Sequence, residues 1–149
     1  MEAEVYPDPR VESFINENFI PARFHVKTHP EAMARFGADW TPTILILDSE
    51  GHERHRIEGF LPNDDFLAQL HLGLAHAAFT AGKFEQAAER FEKIVRDFPG
   101  TDAAPEAQYW AGVAKYKATG NAEALKATAE AFKQRYADST WAKKASIWS

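Results

Sequence analysis

The chain has 149 residues, 45% of them hydrophobic and 13% aromatic, which is enough material for one ordinary core or two small ones. Its formal net charge is −5 and its Lys and Arg are scattered, so it lacks the concentrated basic surface that releases counterions from nucleic acid or an anionic membrane; neither is an expected partner. It has no cysteine, which excludes disulfides, thiolate nucleophiles and thiolate zinc sites together.

No apolar run approaches the roughly 20 residues of a membrane span. Residues 1–10 (MEAEVYPDPR) are acidic and Pro-containing, unlike a signal peptide, so the expected location is cytoplasmic by default. Val11, Phe14, Ile15 and Phe19 recur at helical spacing behind Asp8-Pro9, predicting a helix over residues 9–18 with an Asp cap and Pro in its first turn. Residues 20–26 (IPARFHV) read as extended. Pro30, the apolar face of Ala32, Met33 and Phe36, and Gly37 then predict a short second helix.

TPTILILD (residues 41–48), the turn SEG and the alternating HERHRIEG (residues 52–59) predict a β-hairpin. Beyond Gly59, Asn63 or Asp64 offers a helix cap, and the rest of the chain is Ala-rich and helical in period, placing a domain boundary near residue 70. Within that half, Gly82-Lys83-Phe84 with Ala87, Phe91, Ile94 and Phe98-Pro99 is echoed by Gly120-Asn121-Ala122 with Leu125, Ala129, Phe132 and Tyr136-Ala137. Both the glycines and the terminal aromatics stand 38 positions apart. The unit resembles the tetratricopeptide repeat, a helical hairpin of about 34 residues with small residues where its helices cross. Leu74, Ala75, Ala78, Gly82, Phe84, Ala87, Phe91 and Pro99 fall on signature positions of a first repeat. Tyr109, Tyr116 and Gly120 do so in a second, where Leu125 and Ala137 depart from the pattern. The additional residues are expected in the GTDAAP loop (residues 100–105). Thr140 to Trp148 is expected to cap the stack through Trp141 and either Ile147 or Trp148.

The first half carries a second resemblance. EVYPDPRVESFINENF, the Trp40-Thr41-Pro42-Thr43 loop, and Asp48, Gly51, Gly59 and Phe60 are similar to the thioredoxin-like family from the middle of its active-site helix onward, over about residues 3–72. The resemblance implies a cis bond at Thr41-Pro42 and peptide binding along the loop Trp40, Thr41, Pro42. It also implies that the family's central strand and C-x-x-C motif precede the point where this chain begins. Without a thiolate the family's exchange chemistry is not expected of this chain.

No Ser/His/Asp constellation is recognisable, and neither catalytic residues nor cofactor are expected. His52 and His55 are three apart on a strand and so point to opposite faces, which argues against a metal site shared with His25. Most of Phe79, Phe84, Phe91, Tyr109, Trp110 and Tyr116 are expected to pack between hairpins, leaving one or two exposed. The expected fold is therefore an α/β truncated thioredoxin-like unit (residues 1–70) followed by all-α tetratricopeptide-like hairpins with a capping helix (residues 71–149). Two function classes stay open: a non-catalytic module or scaffold binding a protein or peptide, or a truncated form of a thiol-disulfide oxidoreductase whose C-x-x-C segment lies upstream. The absent central strand would leave inner edges at residues 20–26 and 42–48 unpaired, so the edges are expected to collapse together or, preferentially, to be closed by self-association in a two-fold dimer.

Overall fold

In the computed structural model, which describes residues 7–149, the chain runs through α1 (Pro9–Asn18), α2 (Pro30–Phe36), β1 (Thr43–Leu47), β2 (Glu53–Glu58), α3 (Asn63–Thr80), α4 (Phe84–Asp97), α5 (Ala103–Thr119), α6 (Glu123–Gln134) and α7 (Thr140–Ala145), and ends in a 3-10 turn at Ser146–Trp148. The Asp8 carboxylate accepts the Arg10 backbone N–H at 2.9 Å and so caps α1 with Pro9 in its first turn. Gly37 ends α2 in the left-handed region at φ 60°. α3 starts at Asn63 without a side-chain cap. The expected cap residues are used otherwise: Asn63 Nδ2 donates to Asp8 at 2.9 Å and Asp64 pairs with Arg10 at 2.9 Å, tying the starts of α1 and α3 together.

β1 and β2 form an antiparallel hairpin in which Thr43 faces Glu58, Leu45 faces Arg56 and Ile46 faces His55, with a bulge before the Leu47–Glu53 pair. Asp48 accepts the N–H groups of Glu50 and His52, each at 2.9 Å, and Gly51 takes φ 86°, which closes the turn. One face of the hairpin is buried: Ile46 and Ile57 pack with Val11, Phe66 and Leu70, flanked by Phe14, Ile15, Phe19, Ile44 and Leu61.

Residues 20–26 do not form the extended strand expected of them, and they do not pair with β1. An apolar extended segment becomes a strand only beside a partner for its backbone groups. Among the described residues none lies there, and Ile20 is fully exposed. A local turn takes over instead, with His25 O accepting from Thr28 N (3.1 Å) and His29 N (2.8 Å). The collapse of the two inner edges onto each other therefore does not occur.

α3 is apolar almost all round because it is covered on two sides. Phe66 and Leu70 face the hairpin core, whereas Leu72, Ala75 and Ala78 join the helical core with Ala87, Phe91, Ile94, Ala103, Ala107, Ala111 and Ala114. The position of the expected division, between residues 70 and 71, falls inside this continuous helix. What changes there is the element that α3 packs against. Gly73 marks the transition: a Cβ built on it would overlap Ile46 Cδ1 and stand 3.2 Å from His55 Cβ.

The two helical hairpins α3–α4 and α5–α6 stack as the 38-residue echo predicts, and the Tyr136 hydroxyl at the end of the second donates to Pro99 O at the end of the first (2.6 Å). The GTDAAP segment is shorter as a loop than expected, because α5 starts at Ala103 with Pro105 in its first turn. Where α5 crosses α6, a Cβ on Gly112 would overlap Thr128 Oγ1 and lie 2.8 Å from Thr128 Cβ. Gly112→Ala is accordingly expected to destabilise the protein by roughly 1–2 kcal/mol, an overpacking cost partly offset by the better helix propensity of Ala, as read from the midpoint of urea unfolding. At the C-terminal end, Ser139 caps α7 by accepting Ala142 N–H at 3.0 Å. Trp141 and Trp148 cover Tyr109 at ring separations of 5.3 and 4.8 Å, while Ile147 points to solvent at 80% exposure.

Candidate functional site: the Trp40 loop and the open edge of β1

The loop from Gly37 to Pro42 is held at both ends. Arg56 on β2 donates to the last carbonyls of α2, Phe36 O at 2.5 Å and Gly37 O at 3.2 Å, and is itself held by Glu53 and Glu58. A guanidinium at this helix terminus matches the negative end of the helix dipole. On the other side, Thr43 Oγ1 donates to Trp40 O at 2.6 Å and Gly59 N donates to Pro42 O at 2.8 Å. The Thr41–Pro42 peptide bond is cis. Trp40 stands out from this fixed loop at 69% exposure, Thr41 is exposed, and Pro42 is half-buried.

The loop feeds directly into β1, whose hydrogen-bonding directions follow from its two ends. Pro42 O and Asp48 N both bond toward β2, the latter to His52 O at 3.0 Å. Backbone groups alternate sides along a strand, so Ile44 and Ile46 also bond toward β2, and the N–H and C=O groups of Thr43, Leu45 and Leu47 point to the opposite edge. The sheet has two strands, and no described segment occupies that edge. β1 is also free of charge from Thr43 to Leu47, with Leu47 39% exposed. The site therefore offers three residues' worth of backbone donors and acceptors beside apolar side chains and an exposed indole. Backbone groups arranged in this way are chemically suited to pairing with an extended chain.

Around the turn, Asp48, Glu50 and His52 each bring one ligand atom within 4.8 Å of the others. Asp48 is already committed to two backbone N–H groups and to Arg54 at 2.7 Å, which together hold its carboxyl down at about 2. The cluster reads as turn chemistry. His25, His52 and His55 are not brought together: His25 Nδ1 accepts from Lys27 N in its own turn, and His55 lies on the helix-facing side of β2.

Three histidines line the seam between the hairpin unit and the helical array. The composition gives no hint of this, because His at helical spacing carries no apolar signal. His55 bonds Gln69 at 2.7 Å and stacks on His76 at 6.0 Å, and His76 reaches Glu106 on α5 at 3.3 Å. Burial pushes the His55 imidazole below its ordinary value. His71 sits between the Phe14 ring (4.1 Å) and the Phe98 ring (5.5 Å), and burial, with Lys93 and Arg90 nearby, pushes it down to about 4. Because the folded value lies below the unfolded one near 6.5, the unfolded chain binds the proton first. Stability is full above about pH 6.5 and falls as pH drops toward 4. Chemical unfolding across that window is expected to show a loss on the order of 2 kcal/mol from this group after screening by its remaining solvent contact, and His71→Leu should flatten that part of the curve.

Of the aromatic set, Phe91 is fully buried, Phe79 and Trp110 pack against the helical core, Phe84 and Tyr109 are half-buried, and Tyr116 is exposed at 38%. Among the described residues no helix is long and apolar enough to cross a membrane.

Residues 1–73 match a family model described as a thioredoxin-like domain, and residues 67–101 match that of a tetratricopeptide repeat. The two matches overlap on residues 67–73, within α3. The hairpin α5–α6 lies beyond them and rests on the internal echo. No curated protein and no solved structure matches the chain.

Proposed function

We propose that this chain, whose residues 1–73 match the thioredoxin-like domain and whose residues 67–101 match a tetratricopeptide repeat, is a non-catalytic protein-binding module or scaffold. The two kinds of unit together indicate a protein-interaction or redox-related module. Within that range the cysteine count favours binding, since thiol-disulfide exchange needs a thiolate that would have to come from outside these 149 residues. The observation that carries the reading is the uncharged open edge of β1 beside the exposed Trp40. An extended partner segment adds there as a strand, its backbone bonding Thr43, Leu45 and Leu47 while Trp40, Thr41 and Pro42 receive its side chains. The thioredoxin-like unit (residues 1–70) and the helical unit (residues 71–149) share α3, so a partner at the edge is held in fixed relation to the helical array. The partner is a protein or peptide, and the assembly proposed for the chain is a two-fold dimer.

Carboxymethylated insulin B chain serves as a thiol-free extended probe. Titration followed by amide chemical shifts is expected to move Trp40, Thr41, Thr43, Leu45 and Leu47; no shift there, or shifts confined to α4–α6, would overturn the reading. With dithiothreitol, insulin reduction should run at the control rate, and acceleration would contradict the non-catalytic assignment.

A further inference from the structure

We infer that His55 and His71 form a proton-operated joint: in acid, charge on these two imidazoles lifts α1 and the β1–β2 hairpin off α3 while the helical array α4–α6 stays folded. The two rings stand at the two places where the first unit bears on the rest of the chain. His71, on α3, lies between the Phe14 ring of α1 at 4.1 Å and the Phe98 ring at the end of α4 at 5.5 Å. His55, on β2, lies over Gly73 of α3, bonds Gln69 at 2.7 Å and stacks on His76 at 6.0 Å. The joint is thus closed by imidazoles where a core would use apolar side chains, and an imidazole suits such contacts only while it is neutral.

Neither ring has a free carboxylate to receive a proton's charge. Around His71, α1 presents the Phe14 ring, and α4 brings Arg90 and Lys93 against the single carboxylate of Asp97, which is already paired with Lys93 at 2.7 Å and Arg96 at 3.2 Å. Around His55, β1 presents Ile46 and α3 presents Gln69 and a second imidazole, His76. Glu106 of α5 is taken by His76 at 3.3 Å, and Glu53 on the same strand as His55 is taken by Arg56 at 2.6 Å. Burial first, and then these neighbours, hold both imidazoles below their ordinary value, His71 at about 4. The folded value lies below the unfolded one, so the joint is at full strength above about pH 6.5 and weakens as pH falls toward 4. Asp8, which ties α1 to α3 through Asn63, and Asp48 and Asp97 all sit below the ordinary carboxylate value and keep their charge through that window. Parting α1 and the hairpin from α3 wets both rings in one movement, because Val11, Ile46 and Ile57 join them in one core. Moving α4 away would wet His71 alone and dismantle the packing around Phe91.

Amide protection factors of the full chain, which remove the intrinsic pH dependence of exchange, test this between about pH 7 and pH 4.5. Ile44 and Ile46, whose N–H groups bond to β2, are expected to lose roughly tenfold or more in protection, while Phe91, Ala107 and Ala111 hold theirs within about twofold. His71→Leu should remove most of the loss at Ile44 and Ile46. Lys93→Gln, on exposed α4 surface, is the milder variant: it takes a cation from beside His71 and frees Asp97 toward it, so opening should move to lower pH. The inference is overturned if Ile44 and Ile46 keep their protection down to about pH 4.5, or if Phe91 and Ala111 lose theirs in step with them. It is also overturned if the wild-type pH profile survives Lys93→Gln, or survives His71→Leu in a variant that circular dichroism shows folded.

Discussion

Phe91→Ala is expected to lower the stability of the whole chain by about 4 kcal/mol, the middle of the range for truncating a buried Phe. Phe91 is fully buried, packed with Leu72, Ala75 and Ala78 of α3 and with α5 residues, and meets the His76 ring at 5.1 Å. Its neighbours are largely alanines on helices whose backbones already sit close together, so the array cannot collapse into the space left behind. Since small domains are stable by only about 5–15 kcal/mol, the variant should approach the edge of folding at 37 °C. Urea unfolding followed by helical circular dichroism measures this; a loss under about 1.5 kcal/mol would show that the ring does not anchor the α3–α4–α5 contact.

Gly73→Val is expected to cost about 3 kcal/mol, by a different route. Gly73 is where the hairpin lies directly on α3, and its added Cβ would overlap Ile46 Cδ1. The tip of Ile46 can rotate away, but the His55 Cβ and the Ile46 Cγ1, each 3.2 Å from that position, cannot retreat without moving β1 and β2 off the helix. Gly73→Ala should therefore be milder than Val. The Val variant should selectively speed amide exchange in Ile44, Ile46 and Ile57 while α4–α6 exchange as in wild type. Equal acceleration in both halves would mean that the hairpin and the helical array are lost together.

Much of this architecture is readable in the residues themselves. The hairpin announces itself by a β-branched run, a Gly turn and an alternating partner, and the helical stack by Gly82 and Gly120, Phe98 and Tyr136 at one offset. Those signals are local, and the features that were not legible are the ones that depend on distant neighbours. Residues 20–26 have strand composition, yet a strand also needs an adjacent backbone. Asn63 and Asp64 look like caps, yet Asp8 and Arg10, 55 residues apart from Asn63 in the case of Asp8, claim them first. The composition shift near residue 70 suggests a domain boundary, but helical periodicity does not register a change of packing partner within one continuous helix, and Gly73 marks where that change occurs. For the site, Trp40, Thr41 and Pro42 were visible by resemblance. The outward direction of Thr43, Leu45 and Leu47 was not, because it follows from the register of β1 against β2.

The account turns on the outer edge of β1 being a surface that another polypeptide covers. Hydrogen exchange resolved by residue tests this most directly, because Ile44 and Ile46 bond inward to β2 while Thr43, Leu45 and Leu47 face outward on the same strand. At low micromolar concentration the outward amides should exchange quickly and the inward ones slowly. Raising the protein concentration, or adding carboxymethylated insulin B chain, should slow Leu45 and Leu47 at least tenfold and leave Ile44 and Ile46 unchanged. Outward amides that exchange at one rate under all three conditions, with any new protection confined to the helical hairpins, would contradict the account.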